Sequence, residues 1–224
     1  MIISMISLII TIAVYLLAKK LYRHKPMLLL SPLIVTPVLL IILLAVTKTS
    51  YAHYNAGAHW LSDMLGPATI AFAIPLSRHY DLIKQHAAQI IISVLTGSAA
   101  AVASSLWLAE GFGLDKSMTY SLIPHSTTTP IAMNVAETIG GIPTITAVAV
   151  MITGIFGSIV GPPIIRLFRI RNEVARGVML GTSAHGAGTS KAFELGSISG
   201  TVSSVSMILT AILTLFLTPL VLGQ

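Results

Sequence analysis

Long apolar segments separated by short polar links run along almost the whole chain. The pattern predicts membrane spans, because a helix needs about 20 consecutive apolar residues to cross a bilayer. Clean spans are expected at residues 2–18, 27–46, 86–108, 143–165 and 198–222. A further segment, 57–77, carries Asp63, Gly66, Pro67 and Pro75 and is predicted to be a broken helix. The first span has basic residues after it and none before it, so we expect it to be retained rather than cleaved.

Two stretches, at about 118–140 and 178–196, interrupt this apolar pattern. The first contains Pro124-His-Ser-Thr-Thr-Thr-Pro130 and the second Gly181-Thr-Ser-Ala-His-Gly-Ala-Gly-Thr-Ser-Lys191. Hydrocarbon tolerates irregular backbone only where protein buries it or a watery cavity borders it. The distribution of basic residues favours two hairpins entering from opposite sides over full crossings. The prediction is an all-α membrane protein with about six full spans, two re-entrant or broken-helix hairpins and, as a hypothesis, an inverted repeat.

Composition supports a membrane protein. Of 224 residues, 54% are hydrophobic and 9% are charged, whereas soluble domains carry about 25% charged residues. We expect one integral membrane domain over 1–224, made of a peripheral span and basic loop (1–25), a first half (26–117) and a second half (118–224). The net charge of +6 comes mainly from residues between apolar runs, which indicates orientation toward the cytoplasm and contact with anionic lipid. Nucleic acid is not an expected partner, because no basic stripe with interleaved aromatics is present.

The first stretch has the residue types of an anion site. Its two prolines interrupt the helix, and its four consecutive hydroxyl residues are predicted to cap a new helix that begins near Pro130. A helix N-terminus at membrane depth offers free N–H groups and partial positive charge to a small carboxylate. His125 adds a further donor.

The second stretch repeats this chemistry. Gly181, Gly186 and Gly188 are predicted to loosen the backbone, and Glu194 is placed to offset the charge of Lys191. The candidate substrate-binding residues in the two stretches are His125, Ser126, Thr127, Thr128, Thr129, Asn134, Thr182, Ser183, His185, Thr189, Ser190 and Lys191. The candidates for proton or ion coupling are Asp63, Glu137 and Glu194.

Structural roles compete with each of these assignments. A hydroxyl in a membrane helix often only bonds the carbonyl one turn back, and Asp63 is as well suited to capping a half-helix. A stripe of small residues, Ser93, Gly97, Ala101 and Ser105, together with Gly157 and Gly161, indicates close helix packing. Metal-ligand spacing, a nucleophile elbow and a paired aspartate dyad are all missing from the sequence. We therefore expect no enzyme activity, no catalytic residue and no cofactor or metal.

Three blocks of the sequence resemble a known family. Pro124-His-Ser-Thr-Thr-Thr-Pro-Ile-Ala-Met133, Ile139-Gly-Gly-Ile-Pro143 and Gly181-Thr-Ser-Ala-His-Gly-Ala-Gly-Thr-Ser-Lys-Ala192 are similar to the signature blocks of the LrgB/CidB membrane proteins. The resemblance extends over essentially the whole chain. One departure is that members often carry Lys where this chain has His125.

The resemblance implies a multi-pass protein of the bacterial inner membrane. Family members are antiholin-like or holin-like regulators of murein hydrolase activity and act with a smaller partner of the LrgA/CidA type. Related proteins are linked to pyruvate uptake, and plant homologues move glycolate and glycerate. We therefore expect a transporter for small monocarboxylates that forms homo-oligomers. The alternative is a holin-like oligomer that controls permeability without a substrate site.

Overall fold

The computed structural model describes residues 2–24, 30–64, 67, 70, 77 and 79–223. The chain divides into two compact units, Met1–Ala71 and Phe72–Gln224. Every regular element in the described ranges is helical, which confirms the all-α prediction. Much of the predicted broken helix at 57–77, including Gly66 and Pro75, lies outside the described residues.

The first unit contains, in its described part, α1 (Ile2–His24), α2 (Pro32–Val46) and α3 (Tyr51–Asp63). Helix α1 packs against both of the others, and Thr11 Oγ1 lies 2.8 Å from the Tyr54 hydroxyl. Helix α1 continues beyond the predicted end of the span because Lys and Arg, which follow, are good helix formers.

The second unit contains the two interrupted stretches. Its described helices are α4 (Tyr80–Gln85), α5 (Ala87–Gly111), α6 (Lys116–Leu122), a 3₁₀ helix (Ile123–Ser126), α7 (Thr129–Thr138), α8 (Pro143–Leu167), α9 (Glu173–Leu195) and α10 (Ser197–Leu222). Four helices among the described residues, α1, α5, α8 and α10, are long and apolar enough to cross a membrane. Large apolar side chains such as Trp107 and Phe156 are exposed on their outer faces, where lipid would cover them. The chain is therefore a membrane protein, and the count of six spans stays a prediction.

Residues 116–138, which we name hairpin 1, run out through α6 and the 3₁₀ helix and return through α7. At the base, the Ser121 hydroxyl accepts a hydrogen bond from the Ile142 N–H at 2.6 Å. The Ser121 carbonyl accepts another from Thr146 Oγ1 at 2.8 Å. Gly140, with φ of 86°, turns the chain at this point, and a Cβ on Gly141 would lie 2.8 Å from the Ser121 nitrogen. The chain that follows the return arm is therefore joined to the outgoing arm at Ser121.

Residues 173–195, which we name hairpin 2, fall within α9, but the helix reverses at His185. This residue has φ of 40° and ψ of −128°. The arms on either side, 173–184 and 186–195, pack against each other, since a Cβ on Gly188 would collide with the carbonyl oxygen of Leu180. Leu180 and Ala192 also share one apolar cluster.

The two hairpins begin at opposite ends of α8. Hairpin 1 closes at Ile142, immediately before α8 starts. Hairpin 2 starts shortly after α8 ends, and a Cβ on Gly196 at its base would lie 2.6 Å from Glu173 Oε1. Helix α8 contacts both α9 and the 3₁₀ helix of hairpin 1. This arrangement agrees with the prediction of two hairpins of opposite orientation.

The second stretch contains the predicted break in the helix, but the break falls on a histidine rather than on a glycine. The break lies at His185, while Gly181 is helical and a Cβ there would collide with the backbone of Ser203 in α10. On α8, a Cβ on Gly157 would lie 2.5 Å from the Ala184 Cβ. Gly181 and Gly157 allow close approach between neighbouring helices, which is the role that the sequence predicts for Gly157.

Candidate functional site

The tip of hairpin 1 is held by His125. Its Nδ1 lies 3.0 Å from the Leu122 carbonyl oxygen and 3.1 Å from Ser105 Oγ of α5. Because a carbonyl oxygen only accepts, Nδ1 carries the proton and donates to Leu122. The imidazole thus satisfies a carbonyl at the end of the outgoing arm and links the tip to α5.

The return arm of hairpin 1 starts without a side-chain cap. Thr128 occupies the N-cap position of α7 and Pro130 lies in its first turn, but no hydroxyl bonds the helix N-terminus. The predicted capping hydrogen bonds are therefore not formed. Ser126 Oγ and Thr127 Oγ1 are instead buried without any hydrogen-bond partner in the structure. Both hydroxyls are therefore unsatisfied polar groups at the tip.

The tip of hairpin 2 is held by His185. Its Nε2 donates to the Val150 carbonyl of α8 at 2.9 Å. The ring lies against Gly154, where a Cβ would approach Cε1 to 2.5 Å. The dihedral angles of His185 match the first central position of a type II′ turn, which usually takes glycine. Such a backbone conformation typically costs about 1–3 kcal/mol. Packing of the His185 ring against α8 holds the residue in it.

Helix α10 and the arms of hairpin 2 form a polar wall beside this tip. Thr189 Oγ1 lies 3.0 Å from Ser203 Oγ and 3.9 Å from Met207 Sδ. Thr182 Oγ1 is buried without a partner in the structure. Buried hydroxyls without partners are uncommon, and they mark this region as more than apolar packing.

The two tips meet inside the second unit. The 3₁₀ helix of hairpin 1 contacts α5, α8, α9 and α10, so the tip of hairpin 1 packs against hairpin 2, which is formed by α9. Each tip presents the N-terminus of a return arm, α7 in hairpin 1 and residues 186–195 in hairpin 2. Helix N-termini carry free N–H groups and partial positive charge. The meeting point thus combines two such N-termini with buried hydroxyls and two imidazoles.

Other predicted site residues lie away from the tips. Ser183 and Ser190 are exposed and bond carbonyls one turn back, Met179 and Gly186 respectively. Lys191 Nζ pairs with Glu194 at 2.6 Å on the second arm of hairpin 2, as the spacing predicts.

Of the remaining predicted residues, Thr129 is half-buried at the first residue of α7, and the others are exposed. Asn134 and Glu137 are exposed on α7. Asp63 is exposed at the end of α3 in the first unit, 4.0 Å from His59 Nε2. In the described ranges no cluster of His, Asp or Glu side chains is arranged to hold a metal ion.

Some residues around the tips carried no sequence signal as ligands. Ser105 was assigned to a packing stripe, and Ser203 lies in an apolar run in which serine usually bonds its own helix. The sequence feature that comes closest to indicating them is composition, because hydroxyl residues recur along one buried face of α10.

Comparisons with known proteins identify the family of the chain. The sequence model of the LrgB-like family matches residues 11–223. YwbG of Bacillus subtilis (strain 168) is 54% identical over 223 residues, with 100% of this chain and 99% of that protein covered. YxaC of the same strain is 40% identical, covering 98% and 95%.

A third relative carries a functional name. The protein named Antiholin-like protein LrgB of Bacillus cereus (strain B4264) is 33% identical, with 96% of this chain and 94% of the relative covered. No solved structure matches the chain. With a family match over almost its entire length, the chain belongs to the LrgB-like family.

Proposed function

We propose that this protein transports small monocarboxylates, of the pyruvate, lactate or glycolate type, across the membrane. One observation carries the proposal: two hairpins from opposite ends of α8 bring their tips together around the buried, partnerless hydroxyls of Ser126 and Thr127. A substrate carboxylate would accept hydrogen bonds from these hydroxyls and from the N–H groups at the two return-arm N-termini.

The charges at the tips suit a weakly held anion. Each outgoing arm ends in carbonyls, which repel a carboxylate, but His125 already bonds one of them at Leu122. The donors at the return-arm N-termini remain for the ligand. Lys191, the nearest fixed cation along hairpin 2, is paired with Glu194. A carboxylate would therefore be held by dipoles and hydrogen bonds, which allows release as well as binding.

Opposed hairpins also suit alternating access. A substrate between the two tips would reach one side of the membrane when hairpin 1 moves and the other side when hairpin 2 moves. Broken helices paired at the midplane are the usual layout of secondary transporters with inverted repeats. Each hairpin here precedes a long apolar helix, α8 or α10, and we propose that these two segments form such a repeat. No catalytic step is part of this proposal.

The family gives the cellular setting of the proposal. One relative is named antiholin-like, and we propose that transport by this chain is linked to control of murein hydrolase activity and autolysis in the bacterial inner membrane. A smaller LrgA/CidA-type membrane protein and further copies of the chain are the proposed partners. The link to autolysis would then be indirect, through metabolite flux or membrane energetics.

Uptake into liposomes reconstituted with the purified protein tests the proposal. Wild type should take up radiolabelled pyruvate, lactate or glycolate with saturation. Thr127→Val should lower uptake at least tenfold without lowering the melting temperature, because it removes a buried hydroxyl that has no partner to lose. Thr218→Val is the matched control, because its hydroxyl is also buried without a partner in the structure. Thr218 lies about 16 Å further along α10 than Met207, the residue of α10 that contacts Thr189 of hairpin 2.

The control separates loss of transport from general damage. Equal uptake by wild type, Thr127→Val and Thr218→Val would contradict a site at the tips. Non-selective leakage of a trapped dye, unaffected by either substitution, would favour a holin-like permeability role. A protein with no flux until a smaller partner is added would be a scaffold rather than a transporter.

A further inference from the structure

A second group of buried hydroxyls lies beside the outgoing arm of hairpin 2. Ser98 in α5, Thr182 in α9 and Ser206 in α10 have exposed fractions of 1%, 8% and 1% or less. Their hydroxyl oxygens have no hydrogen-bond partner in the structure. Three such groups on three different helices call for an explanation, because most buried hydroxyls in folded proteins have a hydrogen-bond partner.

Helical register places the three hydroxyls at one level. A Cβ on Gly97 would lie 3.1 Å from Thr182 Cγ2, so Ser98, the next residue of α5, lies at the level of Thr182. Val94 and Val202 belong to one apolar cluster, and Ser98 and Ser206 each follow by four residues, about one helical turn. We name Ser98, Thr182 and Ser206 the hydroxyl triad.

The triad lies next to the end of a helix. The arm 173–184 stops at His185, one turn beyond Thr182, and the last carbonyls of a helix have no intrahelical donors. The site therefore offers neutral oxygen atoms, hydroxyl and carbonyl, at a partially negative helix C-terminus. That chemistry suits a small hard cation.

The charge of the site limits which cation fits. Sites for divalent ions are built with carboxylates, and the triad contains none. The three carboxylate candidates for ion coupling, Asp63, Glu137 and Glu194, are all exposed. From this geometry we infer that the hydroxyl triad binds a monovalent cation, with sodium as the best match among common ions. Unwound backbone and half-helix C-terminal ends are known ways of coordinating Na⁺.

The cation would also take part in the proposed transport as a coupling ion. This part of the inference rests on the proposed function. A monovalent cation and a monocarboxylate bound at neighbouring levels would neutralise each other in a region of low dielectric constant. Sodium would then be a coupling ion, bound at the outgoing arm while the carboxylate binds at the return-arm N-termini.

Thermal unfolding of the purified full-length chain in lipid nanodiscs tests the site without any substrate. Wild type should melt at a higher temperature in NaCl than in KCl or choline chloride of equal ionic strength. In Thr182→Val and Ser206→Ala, the Na⁺ concentration for half-maximal stabilisation should rise about tenfold, as expected for loss of one ligand oxygen. Thr218→Val should respond to Na⁺ like wild type, and melting in choline chloride shows whether each variant is folded.

Uptake assays complete the test. Carboxylate uptake should be stimulated by Na⁺ in wild type and should need about tenfold more Na⁺ in Thr182→Val. Melting temperatures that do not distinguish Na⁺ from choline, or a Na⁺ response unchanged in both triad variants, would overturn it. Na⁺ stabilisation without any carboxylate uptake would instead overturn the proposed function and leave the cation site standing.

Discussion

The two hairpins make the same reversal by different means. Hairpin 1 turns gradually, through a 3₁₀ helix and the extended residues Thr127 and Thr128. Hairpin 2 turns at His185 alone, with two helical arms in direct contact. The gradual turn leaves backbone and hydroxyl groups free at its tip. The abrupt turn depends on tight packing along its length.

This difference indicates where each hairpin is sensitive. Hairpin 2 is fixed by backbone contacts that a single methyl group would disturb. Hairpin 1 is fixed at its base by the hydrogen bonds of Ser121. Substitutions at these places should have unequal effects, whereas substitutions of exposed polar residues should have almost none.

The largest effect is expected at Gly181. A Cβ there would collide with the Ser203 backbone, so Gly181→Ala should lower the free energy of unfolding by about 3 kcal/mol or more, or prevent folding. Gly186→Ala is the matched control, because a Cβ on Gly186 meets no atom within 4 Å. Thermal unfolding in nanodiscs measures both. Similar melting temperatures for the two variants would show that hairpin 2 is not packed against α10 as described.

An intermediate effect is expected at Ser121. Ser121→Ala leaves the Ile142 N–H without its acceptor, which should lower the free energy of unfolding by roughly 1–3 kcal/mol. Ser183→Ala removes an exposed hydroxyl that bonds only the Met179 carbonyl and should change stability by under about 0.5 kcal/mol. Denaturation of both proteins in the same detergent gives the comparison. A larger loss in Ser183→Ala than in Ser121→Ala would contradict the closed base of hairpin 1.

The smallest effect is expected at the ion pair of hairpin 2. Lys191 and Glu194 are close, but the Glu194 side chain is 55% exposed. Exposed pairs contribute about 0–1 kcal/mol, so Glu194→Gln should change stability by under about 1 kcal/mol and the effect should shrink further in high salt. Melting temperatures at two salt concentrations measure it. A loss as large as that of Gly181→Ala would mean that the pair is buried in the folded protein.

The sequence predicts hairpin 1 better than hairpin 2. Pro124 and Pro130 disfavour a continuous helix and enclose four consecutive hydroxyl residues, so the interruption could be predicted from the residues themselves. In hairpin 2 the turn falls on a histidine in a conformation that local propensity disfavours. Contact with α8 holds it there, through Val150 and Gly154. The local sequence pattern cannot predict such contacts, because they join residues that are far apart in the chain.

The site shows the same limit. The residues of the candidate site at the hairpin tips, from His125 to Thr128 and at His185, could be proposed from the sequence because they interrupt the apolar pattern. Ser98 and Ser206 could not, because serine in an apolar helix usually bonds the carbonyl one turn back, as Ser204 does with Gly200. Only the three-dimensional arrangement shows which hydroxyls lack that bond.

Cross-linking of the two tips tests the central claim most directly, and the chain has no cysteine to interfere. Thr128→Cys and Gly186→Cys would place one thiol at each tip, and Thr128→Cys with Ser197→Cys would pair the first tip with the base of hairpin 2. A short bifunctional thiol reagent, followed by digestion and mass spectrometry, reports which pair is joined within one molecule. The structure predicts that the tip pair is joined and the tip–base pair is not. Absence of the tip–tip link in folded protein, or equal linking of both pairs, would contradict the meeting of the hairpins and the binding site built on it.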